Sequence, residues 1–227
     1  MPGWGLHSIF DFLFPRYCFS CQQLLRNQEI LFCQECQEKL PWLDKGCPVC
    51  AGPGDPNYPC ERCQKERFFT RVLAPFRYEG PVAEAIKALK YGRFLWLAKD
   101  LSRFWQRRLR PPDCDLVLPV PLHPERLRKR GFNQSLLFAR FLSPQKTCAH
   151  LLKRLKNTRP QAELSEKERR KNVRGAFVLT EPEAVRKRKI LLVDDVMTSG
   201  ATVEECARLL KKAQAAEIVV AVWARAG

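Results

Sequence analysis

The run Ile190-Leu191-Leu192-Val193-Asp194-Asp195-Val196-Met197-Thr198-Ser199-Gly200-Ala201-Thr202 decides how this chain folds. Four apolar residues in succession make a strand that is buried on both faces, the habit of a parallel sheet. Two carboxylates stand at its carboxyl end. A Thr-Ser-Gly-Ala-Thr turn then opens a helix, predicted over Val203 to Lys212, with Cys206, Ala207, Leu209 and Leu210 at core spacing. The amides of such a turn, with the positive end of the helix dipole, offer hydrogen bonds and partial charge to a phosphate. The hydroxyls of Thr198, Ser199 and Thr202 add donors, and Asp194 and Asp195 are acceptors suited to ribose hydroxyls. The competing reading is an ordinary strand–turn–helix in which Asp195 is a cap.

Outward from this run, strands and helices alternate. Thr70 to Tyr78 reads as a strand, and Gly80-Pro81 opens a helix with Val82, Ala85, Ile86 and Leu89 on one face. A second helix is expected over Leu95 to Leu109, stopped by Pro111-Pro112. Asp115 to Leu118 is a strand running into a rigid turn, Pro119 to Pro124. A helix follows from Ser135 to Leu142. Cys148 to Leu152, Ala176 to Leu179 and Glu217 to Trp223 complete the strands, and Lys153 to Arg174 reads as a polar loop with one short helix. The pattern predicts an α/β fold with a mainly parallel sheet. In such sheets ligands sit beyond the carboxyl ends of the strands, where Pro119–Pro124 and Asp194–Thr202 both lie.

The first third of the chain is different. Eight of its cysteines form four CxxC pairs, Cys18/Cys21, Cys33/Cys36, Cys47/Cys50 and Cys60/Cys63, with 11, 10 and 9 residues between successive pairs. Two CxxC turns at this separation complete one tetrahedral structural zinc site, so two sites are expected. The simplest pairing is sequential, Cys18, Cys21, Cys33 and Cys36 on one ion and Cys47, Cys50, Cys60 and Cys63 on the other; an interleaved one also satisfies the spacing, and four disulfides in a secreted domain are the alternative. No export signal is visible, which favours zinc and a cytoplasmic protein. Met1 to Pro15 carries Trp4, Leu6, Ile9, Phe10, Phe12, Leu13 and Phe14 and is expected to form a short amphipathic segment. No apolar run reaches the length of a membrane span. These features divide the chain into a double zinc-ribbon module, 1–68, and an α/β domain, 69–227.

The net charge of +16 is unevenly placed. Residues 1–70 hold 7 Lys/Arg and 8 Asp/Glu, whereas residues 71–227 hold 33 and 16. The basic part suits phosphorylated ligands or nucleic acid. Phe132, Phe138 and Trp105 would serve base stacking if exposed, although their spacing suits a core.

The Asp194–Thr202 run resembles the signature of the type I phosphoribosyltransferases, which bind 5-phosphoribosyl-1-pyrophosphate (PRPP) with Mg²⁺. The resemblance implies that Asp194 and Asp195 contact the ribose and stabilise charge there, and that Thr198, Ser199, Gly200, Ala201 and Thr202 wrap the 5-phosphate. It places a pyrophosphate loop after Leu118, with Val120, Pro121, His123, Arg126 and Arg130 as candidates; His123 is equally suited to capping a turn. The basic stretch Arg159 to Arg174 falls where that family carries a flexible lid. Taken with the cysteine pairs, Phe76-Arg77-Tyr78-Glu79-Gly80, Lys90-Tyr91, Arg130-Gly131-Phe132-Asn133-Gln134, Gln161 with Leu164, and Asn172-Val173, nearly the whole chain is similar to the ComF family. That resemblance implies a role in DNA uptake, natural transformation or DNA utilisation, with single-stranded DNA and uptake machinery such as a helicase as partners. A glutamine-dependent amidophosphoribosyltransferase is not expected, because the early cysteines are taken up by zinc. Those transferases select the acceptor with a hood beside the sheet; with four residues after Trp223, a C-terminal hood is not expected here. The zinc module and the helices of 81–109 are expected to cover the site instead. Two functions follow: a Mg²⁺–PRPP-dependent transferase, or a non-catalytic adaptor for single-stranded DNA or a partner on the same scaffold.

Overall fold

Three strands of this protein break for two residues and then resume, and the site lies in one of those breaks. The computed structural model describes residues 15–26, 29–65, 67–158 and 165–227. The N-terminal amphipathic segment up to residue 14, and Gln161 with Leu164, lie outside these. In chain order the elements are α1 (Gln34–Glu38), α2 (Glu61–Gln64), β1 (Arg71–Leu73), β2 (Phe76–Arg77), α3 (Gly80–Gly92), α4 (Trp96–Arg108), β3 (Leu116–Pro119), α5 (Pro124–Arg130), α6 (Gln134–Leu142), β4 (Leu152–Arg154), α7 (Glu166–Val173), β5 (Phe177–Leu179), a 3₁₀ turn (Pro182–Val185), β6 (Lys189–Val193), β7 (Val196–Met197), α8 (Ala201–Lys212), β8 (Glu217–Ala221) and β9 (Ala224–Arg225). The main sheet is four-stranded and parallel, in the order β1-β8-β6-β3. A second parallel sheet, β2-β9-β7, repeats the order of the first three.

The expected strands Thr70–Tyr78 and Glu217–Trp223 are thus each split. Pro75 has no N–H to give a ladder, which accounts for the first break. At the third strand the break is Asp194-Asp195. Backbone bonds carry across it: the Asp194 N–H donates to the Ala221 carbonyl at 3.0 Å and the Trp223 N–H to the Asp195 carbonyl at 2.9 Å.

The apolar run of β6 feeds two cores, one on each face, by strand alternation. Leu191 and Val193 join α3, α4 and α6. Ile190 and Leu192 join α8 and the antiparallel β4–β5 hairpin. On the first face Trp105 of α4 is buried and donates from Nε1 to the Val222 carbonyl at 2.9 Å. Phe138 stacks on Trp223 with ring centroids 4.8 Å apart. Trp105 and Phe138 are therefore core residues, and Phe132 packs against the same core, so none of the three is a stacking surface.

The two thiol clusters are sequential. Cys18, Cys21, Cys33 and Cys36 form one group and Cys47, Cys50, Cys60 and Cys63 the other, their sulfurs within 4.8 Å of one another. The Cys21–Cys33 and Cys50–Cys60 Sγ distances are 3.6 and 3.8 Å. A tetrahedral zinc with Zn–S of about 2.3 Å has S···S edges of about 3.8 Å. The thiols fit that ion and none is in a disulfide. Burial raises the Cys47 thiol, but N–H groups of Cys60, Cys50 and Val49 outweigh it and bring it down to about 6, which readies one thiolate for metal. The clusters sit on opposite faces of the main sheet. Cys18 and Cys33 belong to the α4 core, where Phe32 meets Phe104 edge-on at 5.7 Å. Cys47, Cys50 and Cys63 belong to the α8 core. Val49 takes a bond from the Val72 N–H of β1 at 2.8 Å.

Each cluster is expected to hold one zinc ion. Elemental analysis of the purified protein should find two per chain, and Cys33→Ser should leave one. Chelation should expose the buried tryptophans to solvent and lower the melting temperature, because the thiol clusters are part of each core. Full zinc occupancy in Cys33→Ser would contradict the assignment.

Candidate functional site

The break at Asp194-Asp195 turns two carboxylates away from the sheet and into a cavity of 630 Å³. Its lining comes from five places in the chain: the start and end of α3, the turn after β3 with α5, the start of α6, Arg154 of β4, and the run 194–203. Each element contributes for a local reason. Gly200 takes φ 81° and caps α8, and that left-handed backbone is what calls for glycine in the turn. Gly131 ends α5 in the left-handed conformation. Asn133 then caps α6, accepting from the Ser135 N–H at 3.0 Å and donating to the Val120 carbonyl at 3.0 Å. The Arg-Gly-Phe-Asn-Gln block is thus a helix stop, a core anchor and a helix start, with a functional side chain at each end.

Those end residues form a relay. Arg130 Nη1 donates to Gln134 Oε1 at 2.8 Å, and Gln134 Nε2 donates to Asp195 Oδ2 at 2.6 Å. Arginine only donates and an ionised aspartate only accepts, which sets the amide orientation. Asp195 also meets Lys90 Nζ at 2.8 Å and takes the Val196 N–H at 2.6 Å. Asp194 takes the Ser135 hydroxyl and the Asp195 N–H, both at 2.9 Å. Burial, aided by the Asp195 charge, pushes the Asp194 carboxyl up to about 7. Burial works against the Lys90 ammonium, but Asp195 outweighs it and holds it above the ordinary lysine range.

Asp194, Asp195, Thr198, Gly200, Ala201 and Thr202 line the cavity, as do Val120, Pro121, Arg126 and Arg130. Ser199 and His123 do not. Ser199 faces a neighbouring cavity behind the turn, and its Oγ accepts from the Ala201 N–H at 3.4 Å. His123 is the cap of α5, its Nδ1 accepting from the Glu125 N–H at 3.4 Å.

Three residues absent from the sequence-level site are Gln134, Lys90 and Arg154. The first two fall in the Arg130–Gln134 and Lys90-Tyr91 motifs, whose sequence alone gives them no role. Arg154, on β4, falls in the stretch whose sequence reads as a polar loop. It is 7% exposed, its Nε has no partner, and it lines the cavity beside Arg126. Arg126 donates to the Thr158 carbonyl and Arg154 to the Thr158 hydroxyl. Burial lowers Arg126, with Arg130 adding repulsion, and burial with the Arg126 charge lowers Arg154. None of these three guanidiniums has a carboxylate within ion-pair distance among the described residues. One end of the cavity therefore holds uncompensated positive charge and the other a pair of acids.

The expected cover is met only in part. Tyr78, Lys90, Tyr91 and Arg93, flanking and ending α3, form a wall. No described residue of 15–65 lines the cavity. The second cluster stands behind the turn instead: Arg225 donates from Nε to the Cys50 carbonyl and from Nη1 to the Met197 carbonyl, both at 3.1 Å. Arg67 meets Glu204 of α8 at 3.1 Å. The expected lid at 159–174 contains helix α7, capped by Ser165 and Glu168 and packed on α8 through Val173; residues 159–164 are outside those described.

Residues 133–227 match the family model of the phosphoribosyl transferase domain, and residues 9–64 that of the double zinc ribbon domain. The protein is thus of the phosphoribosyltransferase fold, preceded by a double zinc ribbon. Three relatives extend over almost the whole length. The chain is 34% identical to DNA utilization protein YhgH of Escherichia coli K12, over 92% of this chain and 96% of that protein. It is 33% identical to the protein of the same name in Salmonella typhi and 31% identical to competence protein F of Haemophilus influenzae, with the same coverage. The chain belongs to the ComF family of competence and DNA utilisation proteins. Among the described residues, no helix is long and apolar enough to cross a membrane.

Two outcomes follow. Lys90→Met strips Asp195 of its cation and should cost about 3–5 kcal/mol, as for other half-broken buried pairs, with Lys90→Met/Asp195→Asn recovering much of it. For Asp194 the folded carboxyl sits above its unfolded value of 3.8. The folded state therefore holds a proton that the unfolded chain has lost between about pH 4 and 7, and this group's contribution falls as pH rises through that window. Asp194→Asn should gain stability relative to wild type from pH 5 to 7 in denaturant titrations. Both proteins carry the same zinc sites, so metal loss cancels in the difference. A flat difference would rule out the raised carboxyl.

Proposed function

We propose that the cavity binds PRPP and that the protein acts through this ligand in DNA uptake or utilisation. The observation that carries the reading is the placement of an acidic pair between a glycine-capped helix start and a cluster of arginines that have no carboxylate partner among the described residues. The turn Thr198–Thr202 offers amides and hydroxyls to the 5-phosphate. Asp194 and Asp195 face the ribose. Arg126, Arg130 and Arg154 suit the diphosphate, since guanidinium pairs with phosphate oxygens bidentately. Asp194 and Asp195 would hold Mg²⁺ at the sugar end of the cavity, where the ion would neutralise charge on the leaving group. The oxygen-only donor set at Asp194 and Asp195 suits that hard cation. The relay Arg130–Gln134–Asp195 keeps the anion-binding and sugar-binding ends in register.

In this reading residues 1–68 are a zinc module that braces the turn from behind, and residues 69–227 form the ligand-binding domain. Thiols committed to zinc suit a reducing cytoplasmic setting. The names of the relatives supply the process, DNA utilisation and competence. Transfer to an acceptor is separable from binding, and the adaptor reading retains PRPP as a regulator.

Titration calorimetry with PRPP and Mg²⁺ tests this directly. Wild type should bind, and Asp194→Ala/Asp195→Ala should weaken binding by about a hundredfold or more, as expected when two hydrogen-bonding partners of charged or polar groups are lost. Absence of wild-type binding at millimolar PRPP overturns the reading. Release of pyrophosphate on adding candidate acceptors separates a transferase from an adaptor.

A further inference from the structure

Among the hydroxyls of the 198–202 turn, Ser199 alone faces away from the first cavity, into a second one of 480 Å³. Three parts of the chain meet there. The zinc module ends in it with Arg67 and Phe68, the last turn of α7 brings Arg174 after it, and α8 brings Glu204, Glu205 and Arg208. Gly200 and Ala201 line both cavities, so a single turn of backbone separates them. The Ser199 Oγ accepts from the Ala201 N–H at 3.4 Å, which leaves its hydroxyl hydrogen to donate.

Charge decides what fits. Four arginines and two glutamates line this space, and both glutamates are used up by its walls. Glu204 accepts from Arg67 Nη1 at 3.1 Å and from the Phe68 N–H at 3.3 Å. Glu205 is buried and accepts from Arg208 Nε and Nη2, at 3.0 and 2.8 Å, and from the Gly175 N–H at 2.8 Å. A guanidinium carries five N–H donors, so Arg67 and Arg208 keep some after their glutamates are met. Arg174 has no carboxylate within ion-pair distance among the described residues. Its carbonyl takes Lys156 Nζ at 3.2 Å, which brings an ammonium to the same corner. The space is the size of a small-molecule pocket. Phosphate oxygens are the acceptors that guanidinium and hydroxyl groups hold best. We propose that this second cavity is an effector site for a small phosphorylated molecule, its phosphate on Arg174, Arg208 and the Ser199 hydroxyl and its apolar body against Phe68. The 5-phosphate of PRPP would lie across the same turn. The two anions repel, so each weakens the binding of the other by the same factor. That coupling rests on the PRPP reading of the first cavity; the site itself does not.

Crystals of the full zinc-loaded chain soaked in tungstate test the site, because tungstate stands in for phosphate and anomalous scattering marks its place. A peak between Arg174 and Ser199 is expected, and Arg174→Glu crystals should lose it. No peak there, or a peak that Arg174→Glu keeps, overturns the site. Arg174 is exposed, so the variant should melt at the wild-type temperature. Calorimetric PRPP titrations with and without inorganic phosphate test the coupling. Phosphate also competes directly in the first cavity of both proteins, so the comparison is between ratios, each protein without phosphate being its own reference. Phosphate should weaken PRPP binding at least about threefold more in wild type than in Arg174→Glu, the scale of two charges repelling across one turn. Equal ratios overturn the effector role. If wild type binds no PRPP, the reading of the first cavity fails and the coupling falls with it, while the tungstate peak still decides the second site.

Discussion

The contact between Lys90 and Asp195 is the constraint around which the site is organised. A carboxylate at the break between two sheets is costly to bury alone. Here an ammonium from the end of α3, an amide from the start of α6 and a backbone N–H meet it at 2.6–2.8 Å. Those partners come from positions 90, 134 and 196, so satisfying one charge fixes the relative placement of three segments. Asp194 beside it is left with weaker compensation and takes up a proton more readily. The pair is therefore asymmetric: one acid is structural as well as site-facing, and the other is the one whose ionisation a ligand can change.

The zinc ribbons act on the site at a distance. Their described residues do not line the cavity; each cluster buttresses a different face of the sheet. The second one reaches the phosphate turn through Arg225, a buried guanidinium shared by the Cys50 and Met197 carbonyls. It also reaches α8 through Arg67 and Glu204. A small metal-bound module can serve in this way because its rigidity comes from the ion rather than from a large core.

Much of this was legible in the sequence, and the reason differs by element. The β6 run and the CxxC spacing are local signals with one economical solution, and the parallel sheet and both thiol clusters follow from them. The cavity residues Asp194 to Thr202 are contiguous, so their pattern was visible without tertiary knowledge. The broken strands were not, because an apolar run continues through Ala221-Val222-Trp223 and gives no sign that pairing pauses and then resumes with the continuations of the same neighbours. Lys90, Gln134 and Arg154 could not be placed because their partners lie far along the chain. Arg154 in particular looks like any cation in a basic loop until the β4–β5 hairpin buries it. His123 shows the opposite case: a residue type common in active sites is here a helix cap. Trp105 and Phe138 lie in the core, as their spacing suits, and Tyr91, Phe94 and Trp96 outside it.

A crystal structure of the zinc-loaded protein with PRPP and Mg²⁺ tests the central claim most directly. The account predicts density for the 5-phosphate against the amides of Thr198 to Thr202, ribose hydroxyls on Asp194 and Asp195, and the diphosphate directed at Arg126, Arg130 and Arg154. Density for the ligand elsewhere, or an inverted ligand with its diphosphate in the 198–202 turn, would contradict it.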